Sequence, residues 1–330
     1  MPGAAGSSIS FKPTAHFSTT IGGGFLREHG FLVEVSLDGP QAVHDAYRVD
    51  RGGQPTFARV MQGIEVLKKH GVSLRTLTMV SRTNVERPLP VYRFLRKLGA
   101  GFMQFVPLVE RTAGPAETAL GLTLAAPPEN ATWAAWKDDA HMLTLWSVRP
   151  GDYGEFLCII FDEWVRRDAG SVSVGLFDSA LSQWAGAGPG RCPFGEECGR
   201  AAVIEHNGDV YACDHYVYPR YRLGNILESD LPALLDAPVA QALREAKRTT
   251  LPRQCRECAV RFACNGGCPK DRFLHTADGE AGLNFLCEAY QQFFHHIDPA
   301  MTTLAGLLAE NRALAEIIHL PRSKWARGRL

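Results

Sequence analysis

Four cysteines stand within fourteen residues of a 330-residue chain that has nine in all: Cys255, Cys258, Cys264 and Cys268, spaced C-x2-C-x5-C-x3-C. The first two can grip one ion or cluster from a tight turn. Four more, Cys192, Cys198, Cys213 and Cys287, bracket this group, so the eight thiols between residues 192 and 287 are enough for two complete four-cysteine sites. The ninth, Cys158, lies among Phe156, Ile159, Ile160 and Phe161 and reads as a buried, inert thiol. Disulfides fit poorly, because the N-terminal stretch has neither the basic nor the apolar region of a secretory signal. The cysteines are therefore expected in a reducing cytoplasm, where close-set thiols bind metal. Spacing alone leaves zinc and iron–sulfur both open, since both take thiolates tetrahedrally.

Charge excludes some partners. Lys and Arg number 35 and Asp and Glu 35, which leaves no net pull toward nucleic acid or an anionic membrane. No apolar run reaches the roughly 18 residues of a membrane span.

The patterning before the cysteines is α/β. Residues 1–24 are rich in Gly, Ser and Ala and read as a loose, disordered head. FLVEVSL (31–37), SLRTLTMVS (73–81) and GFMQFVPLV (101–109) read as strands, separated by helical patterns at 56–71 and 90–99. Strand and helix in alternation with short connections mean βαβ units and a parallel sheet. Three strands are too few to close an eight-stranded barrel, so residues 25–180 read as part of one. Residues 110–150 read as loop and helix, and 154–168 as an amphipathic helix. A second, Cys-rich domain is expected over 186–295, opening with a hairpin at 201–213 that turns on Asn207-Gly208. Residues 296–330 read as a C-terminal helix (298–320) and a basic, solvated tail.

The order C-x5-C, then G-x4-C, then C-x2-C-x5-C-x3-C, then a distant lone cysteine resembles the SPASM domain of radical S-adenosylmethionine (SAM) enzymes. It is most similar to the anaerobic sulfatase-maturating enzymes. The stretches that carry the resemblance are FLVEVSLDGPQAVHDAYR (31–48), NGDVYACDHYVYPRYRLGNI (207–226), LPRQCRECAVRFACNGGCPKDRF (251–273) and LNFLCEAY (283–290). It implies a partial (β/α) barrel followed by a SPASM domain with a β-hairpin and C-terminal helices. It further implies two auxiliary [4Fe–4S] clusters, one on Cys192, Cys198, Cys213 and Cys268, the other on Cys255, Cys258, Cys264 and Cys287. Asp214 matches the family's general base, and Ser36 and Arg48 match positions lining the SAM site. The implied activity oxidises an active-site Cys or Ser of a sulfatase polypeptide to formylglycine, with flavodoxin or ferredoxin as electron donor.

One feature of that family is missing from these residues. No cysteine precedes Cys158, so the C-x3-C-x2-C motif whose cluster binds and cleaves SAM is absent, and early barrel strands are not evident. The expectation is a chain that lacks an N-terminal part of the barrel, does not cleave SAM as it stands, and leaves the strand at 31–37 with an unpaired edge. Two other readings stay open: a SPASM enzyme that matures a different peptide, and a non-catalytic iron–sulfur or zinc-binding fragment.

Overall fold

The computed structural model describes residues 10–11, 20–119, 121–128, 143–199 and 201–330. They form two units. The first comprises residues up to Leu108, Glu155–Asp178 and Gly306–Trp325; the second comprises Val109–Gly154, Ser179–Ala305 and Ala326–Leu330.

The first unit is built on a five-stranded, wholly parallel sheet. Its strands are β1 (Ser10–Phe11), β2 (Leu32–Ser36), β3 (Leu74–Val80), β4 (Phe102–Pro107) and β5 (Ser173–Val174), in that order across the sheet. Helix Phe57–Lys69 carries the chain from β2 to β3, and helix Pro88–Lys97 from β3 to β4. β3 alternates strictly: Leu74, Thr76, Thr78 and Val80 are buried while the residues between them are half-exposed. Ile64 and Leu67 on the first helix and Val91 and Leu95 on the second are buried, as helical spacing requires of a core-facing stripe. A buried carboxylate fastens the second helix, since Asp168 accepts the Tyr92 hydroxyl at 2.8 Å and Arg96 Nε at 2.6 Å.

Three expectations for this region are corrected. Ser10–Phe11 pairs with Leu32–Val33, so the edge of β2 is covered over two residues. The head also contributes the start of a helix, Thr20–Glu28, although residues 1–9 and 12–19 lie outside the described residues. The short β5, with no periodicity to announce it, was not expected. Part of the loop-and-helix stretch expected at 110–150 (residues 129–142) also lies outside the described residues, while Pro115–Ala119 is helical.

The second unit carries a three-stranded antiparallel sheet, β6 (Val203–Ile204), β7 (Asp209–Tyr211) and β8 (Arg222–Asn225), and a hairpin, β9 (Leu274–His275) with β10 (Ala281–Leu283). The long helix is Cys287–Ala309, eleven residues earlier at its start than the expected 298–320. Asp298-Pro299 reads as a helix start, yet the helix runs through Pro299. Tyr290, Phe293, Phe294, Ile297 and Met301 form a buried stripe that outweighs the one backbone bond a proline forfeits. Asp298 is a tertiary anchor instead: it accepts Trp184 Nε1 at 2.8 Å, and the Trp184 ring packs edge-on against Phe262. Asn311, at φ 56°, ends the helical path. The tail residues are exposed apart from half-buried Trp325, and two of the arginines make contacts: Arg329 lies over the Phe262 ring at 4.2 Å and Arg322 pairs with Asp162 at 2.9 Å. Among the described residues no helix is long and apolar enough to cross a membrane.

Candidate iron–sulfur and base site

All eight clustered cysteines fall in the second unit. Cys255 sits in the single turn Arg253–Arg256, and the next turn brings the Cys258 N–H back to the Cys255 carbonyl at 3.4 Å. Cys264 ends the turn Arg261–Cys264. Three consecutive left-handed residues follow, Asn265 (φ 46°), Gly266 (φ 72°) and Gly267 (φ 63°). Only glycine adopts this conformation without penalty, and the reversal separates Cys264 from Cys268. Asn284 braces the loop by donating Nδ2 to the carbonyls of Gly266 and Cys268, each at 3.1 Å. Its own carbonyl accepts the N–H of Cys287, the first residue of the long helix.

Cys255, Cys258, Cys264 and Cys287 line one cavity. Gln291, one turn into the helix, donates Nε2 toward Cys287 Sγ at 3.7 Å and Cys258 Sγ at 4.0 Å. Of the other four, Cys198 donates to Cys192, which also accepts the Gly199 N–H on Sγ at 3.4 Å.

Burial pushes the thiols of Cys213, Cys264, Cys268 and Cys287 up to about 12. Cys198, which gives its proton to Cys192, is also raised. Cys192 is brought down to about 5 by that bond, helped by the Gly199 N–H and the Lys247 ammonium. The thiols that burial raises become thiolates only when a metal centre takes the place of their protons. Four thiolates suit an iron–sulfur cluster and a zinc ion alike, and among the described residues no three His, Cys, Asp or Glu side chains close on a single ion. Cys158 is raised to about 12 by burial and remains outside both sets.

Asp214, next to Cys213, is exposed and accepts the Cys213 thiol on Oδ1 at 3.1 Å. It lines a cavity of about 480 Å³ with His215, Glu110, Arg111, Lys270 and Asp271. Lys270 Nζ is anchored by the Val109 carbonyl at 2.9 Å and by Glu110 Oε1 at 3.0 Å. Asp271 is buried, with its Oδ1 accepting no hydrogen bond, and burial raises its carboxyl. These wall residues were not singled out from the sequence. CPKDRF (268–273) put Lys270 and Asp271 beside a ligand cysteine, and that adjacency was the available signal.

Ser36 and Arg48 belong to the first unit. Ser36 is half-buried at the end of β2, opposite Leu77. Arg48 gives Nε and Nη2 to Asp38, at 2.7 and 3.1 Å, which leaves three of its five N–H donors for another acceptor.

Comparison with known proteins follows the same division. Residues 192–259 match the SPASM family, an iron-sulfur cluster-binding domain. The chain is 44% identical over 294 residues to a serine-type anaerobic sulfatase-maturating enzyme of Bacteroides thetaiotaomicron, covering 89% of this chain and 68% of that one. It is 29% identical to a cysteine-type anaerobic sulfatase-maturating enzyme of Clostridium novyi, covering 86% and 70%. The solved structure of native anSMEcpe with bound AdoMet superposes with a TM-score of 0.75 at 26% identity, over 91% of this chain and 76% of that one. The same values hold for native anSMEcpe with bound AdoMet and Cp18Cys peptide. With its parallel α/β sheet and its cysteine-rich second unit, this chain belongs to the anaerobic sulfatase-maturating enzymes.

Proposed function

We propose that this chain serves the oxidation of a sulfatase side chain, serine or cysteine, to formylglycine. In this reading auxiliary [4Fe–4S] clusters sit on Cys192, Cys198, Cys213 and Cys268 and on Cys255, Cys258, Cys264 and Cys287, and Ser36 and Arg48 face the tail of SAM. The observation that carries the reading is Asp214, a carboxylate beside a ligand cysteine on the wall of a cavity of about 480 Å³. Serine is the expected target, on 44% identity to a serine-type enzyme against 29% to a cysteine-type one.

Taking a CH–OH carbon to an aldehyde removes two hydrogens, one of which leaves as a proton. Asp214 is the acceptor for that proton, within reach of a side chain lying in the cavity. Lys270, Glu110 and Arg111 offer the peptide backbone donors and an acceptor, with Lys270 held in place by its two bonds. Arg48 offers its remaining N–H donors to the carboxylate of SAM. When bound, SAM supplies the acceptor for a hydrogen atom and the clusters supply an acceptor for a single electron. The cluster that cleaves SAM calls for C-x3-C-x2-C, which these 330 residues do not contain, so that step is assigned to no residue here. The setting is the reducing cytoplasm, with flavodoxin or ferredoxin as electron donor.

The test is mass spectrometry for formylglycine in serine- and cysteine-containing sulfatase peptides, under anaerobic conditions with SAM and a reductant. Two proteins are compared: the 330 residues alone, and the same residues preceded by the C-x3-C-x2-C-bearing segment of the Bacteroides relative. Product is expected from the second only, and faster from serine. No product from either, with iron fully loaded, would overturn the proposal.

A further inference from the structure

Two fully buried cations in the second unit make no ion pair with a carboxylate among the described residues. Arg272 is 0% exposed, and its guanidinium meets backbone carbonyls only. Nε donates to Gly266 at 3.0 Å, Nη1 to Lys247 at 2.7 Å, and Nη2 to Asn265 at 2.8 Å and Gly267 at 3.4 Å. Lys247, also 0% exposed, donates Nζ to the carbonyls of Cys192 at 2.6 Å and Pro193 at 3.0 Å. Carbonyls satisfy N–H groups but bring no net charge, and a buried charge without a counter-charge is strongly disfavoured.

Both cations are held by the loops that carry the cysteines. Lys247 meets the carbonyl of Cys192 itself, a member of one group of four, and that of its neighbour Pro193. The three carbonyls of Asn265, Gly266 and Gly267 that hold the Arg272 guanidinium are the ones that link Cys264, of one group, to Cys268, of the other. The charge opposite each is the one the cysteines carry once they are metal ligands.

We infer that Arg272 is the shared counter-charge of the two auxiliary iron–sulfur sites and that Lys247 serves the Cys192, Cys198, Cys213 and Cys268 site alone, each making its site easier to reduce. The inference rests on the iron–sulfur reading above. Reduction adds one electron to a centre already ringed by four thiolates. A positive charge fixed nearby in a low-dielectric interior favours the reduced form, and surrounding charge is one of the means by which proteins set cluster potentials. Both are positioning residues: neither is a ligand.

The test is a dithionite potentiometric titration followed by electron paramagnetic resonance on the reconstituted chain, with iron and zinc counted first. Arg272→Gln keeps N–H donors and loses the charge; Arg272→Lys keeps the charge and loses the fork. Arg272→Gln is expected to move both reduction steps to more negative potential, and Arg272→Lys to leave both near wild type even where the fold is less stable. Lys247→Gln is expected to move one step only, the one lost in Cys213→Ala. Unmoved potentials in Arg272→Gln at full iron content, or equal shifts in the Gln and Lys variants, would overturn the inference while leaving the iron–sulfur reading intact. Should Arg272→Gln shed iron, retention by Arg272→Lys upholds the charge role and equal loss by both rejects it. Zinc in place of iron in the unaltered chain is the separate failure, that of the iron–sulfur reading itself.

Discussion

Arg48 holds Asp38 at two points, Nε to Oδ2 at 2.7 Å and Nη2 to Oδ1 at 3.1 Å, while Oδ1 also accepts the Met79 N–H at 2.9 Å. One carboxylate thus ties the loop after β2 to β3 and fixes the guanidinium assigned to SAM. Asp38→Ala removes all three bonds and leaves a half-buried arginine without a partner. The expected loss is about 2–3 kcal/mol in a urea unfolding curve. An unchanged midpoint would mean the pair is a passive surface contact.

The same loop carries an acid-sensitive histidine. His44 is buried, with Nε2 paired to Thr56 Oγ1 at 3.1 Å and Nδ1 accepting the Asp38 N–H at 3.4 Å. Thr56 gives its hydroxyl proton to the Arg48 carbonyl, so Nε2 is the donor and the ring is neutral. Burial lowers its pKa below the ordinary 6.5, opposed by Asp38 and Asp45 and helped by Arg48. The unfolded chain therefore binds more protons below pH 6.5. The stability His44 contributes is present above that pH and is lost as the pH falls through the folded value. Unfolding free energies between pH 7.5 and 5 should decline less in His44→Gln than in the unaltered chain.

Metal content separates the readings of the cysteines directly. After anaerobic reconstitution the chain should hold about eight irons, four to a cubane, and little zinc. Cys287→Ala should fall to about four, whereas Cys158→Ala should hold the full complement. Two zinc ions in place of iron would leave a structural metal domain and no conduit for electrons.

The reversal at Gly266-Gly267 should tolerate no side chain at either glycine. Gly267→Ala meets the left-handed penalty of about 1–2 kcal/mol and also drives a methyl against Asn284 and Tyr290. Gly279→Ala, at φ 87° with open space around it, meets the penalty alone and serves as the control. Iron content is expected to drop in the first and not in the second; equal iron in both would show that the loop can shift to admit a methyl.

In the protein extended by the C-x3-C-x2-C-bearing segment, Asp214→Asn should lower formylglycine formation on the order of 10²-fold or more, the usual weight of a general base, with iron content unchanged. A variant that loses iron in step with product would instead make Asp214 a support of Cys213.

Much of this protein was legible along the chain. The eight cysteines declare themselves because ligand spacing is local chemistry, readable without a fold. β2, β3 and β4 and the helices between them appear because periods of 2 and 3.6 are written residue by residue. The rest depended on long-range packing. Two residues of β5 carry no period, and Asp298-Pro299 mimics a helix start because nothing nearby in sequence reveals that Trp184 claims the carboxylate. The wall around Asp214 joins Glu110 to Lys270 across 160 residues. Lys247 and Arg272 look like ordinary surface cations in a string of letters. Sequence by itself determined which atoms are available as ligands and where the strongly periodic helices and strands lie, since both follow from near neighbours. Only the tertiary structure decided which charges are buried and what stands opposite them, because burial belongs to the way distant segments wrap around a side chain.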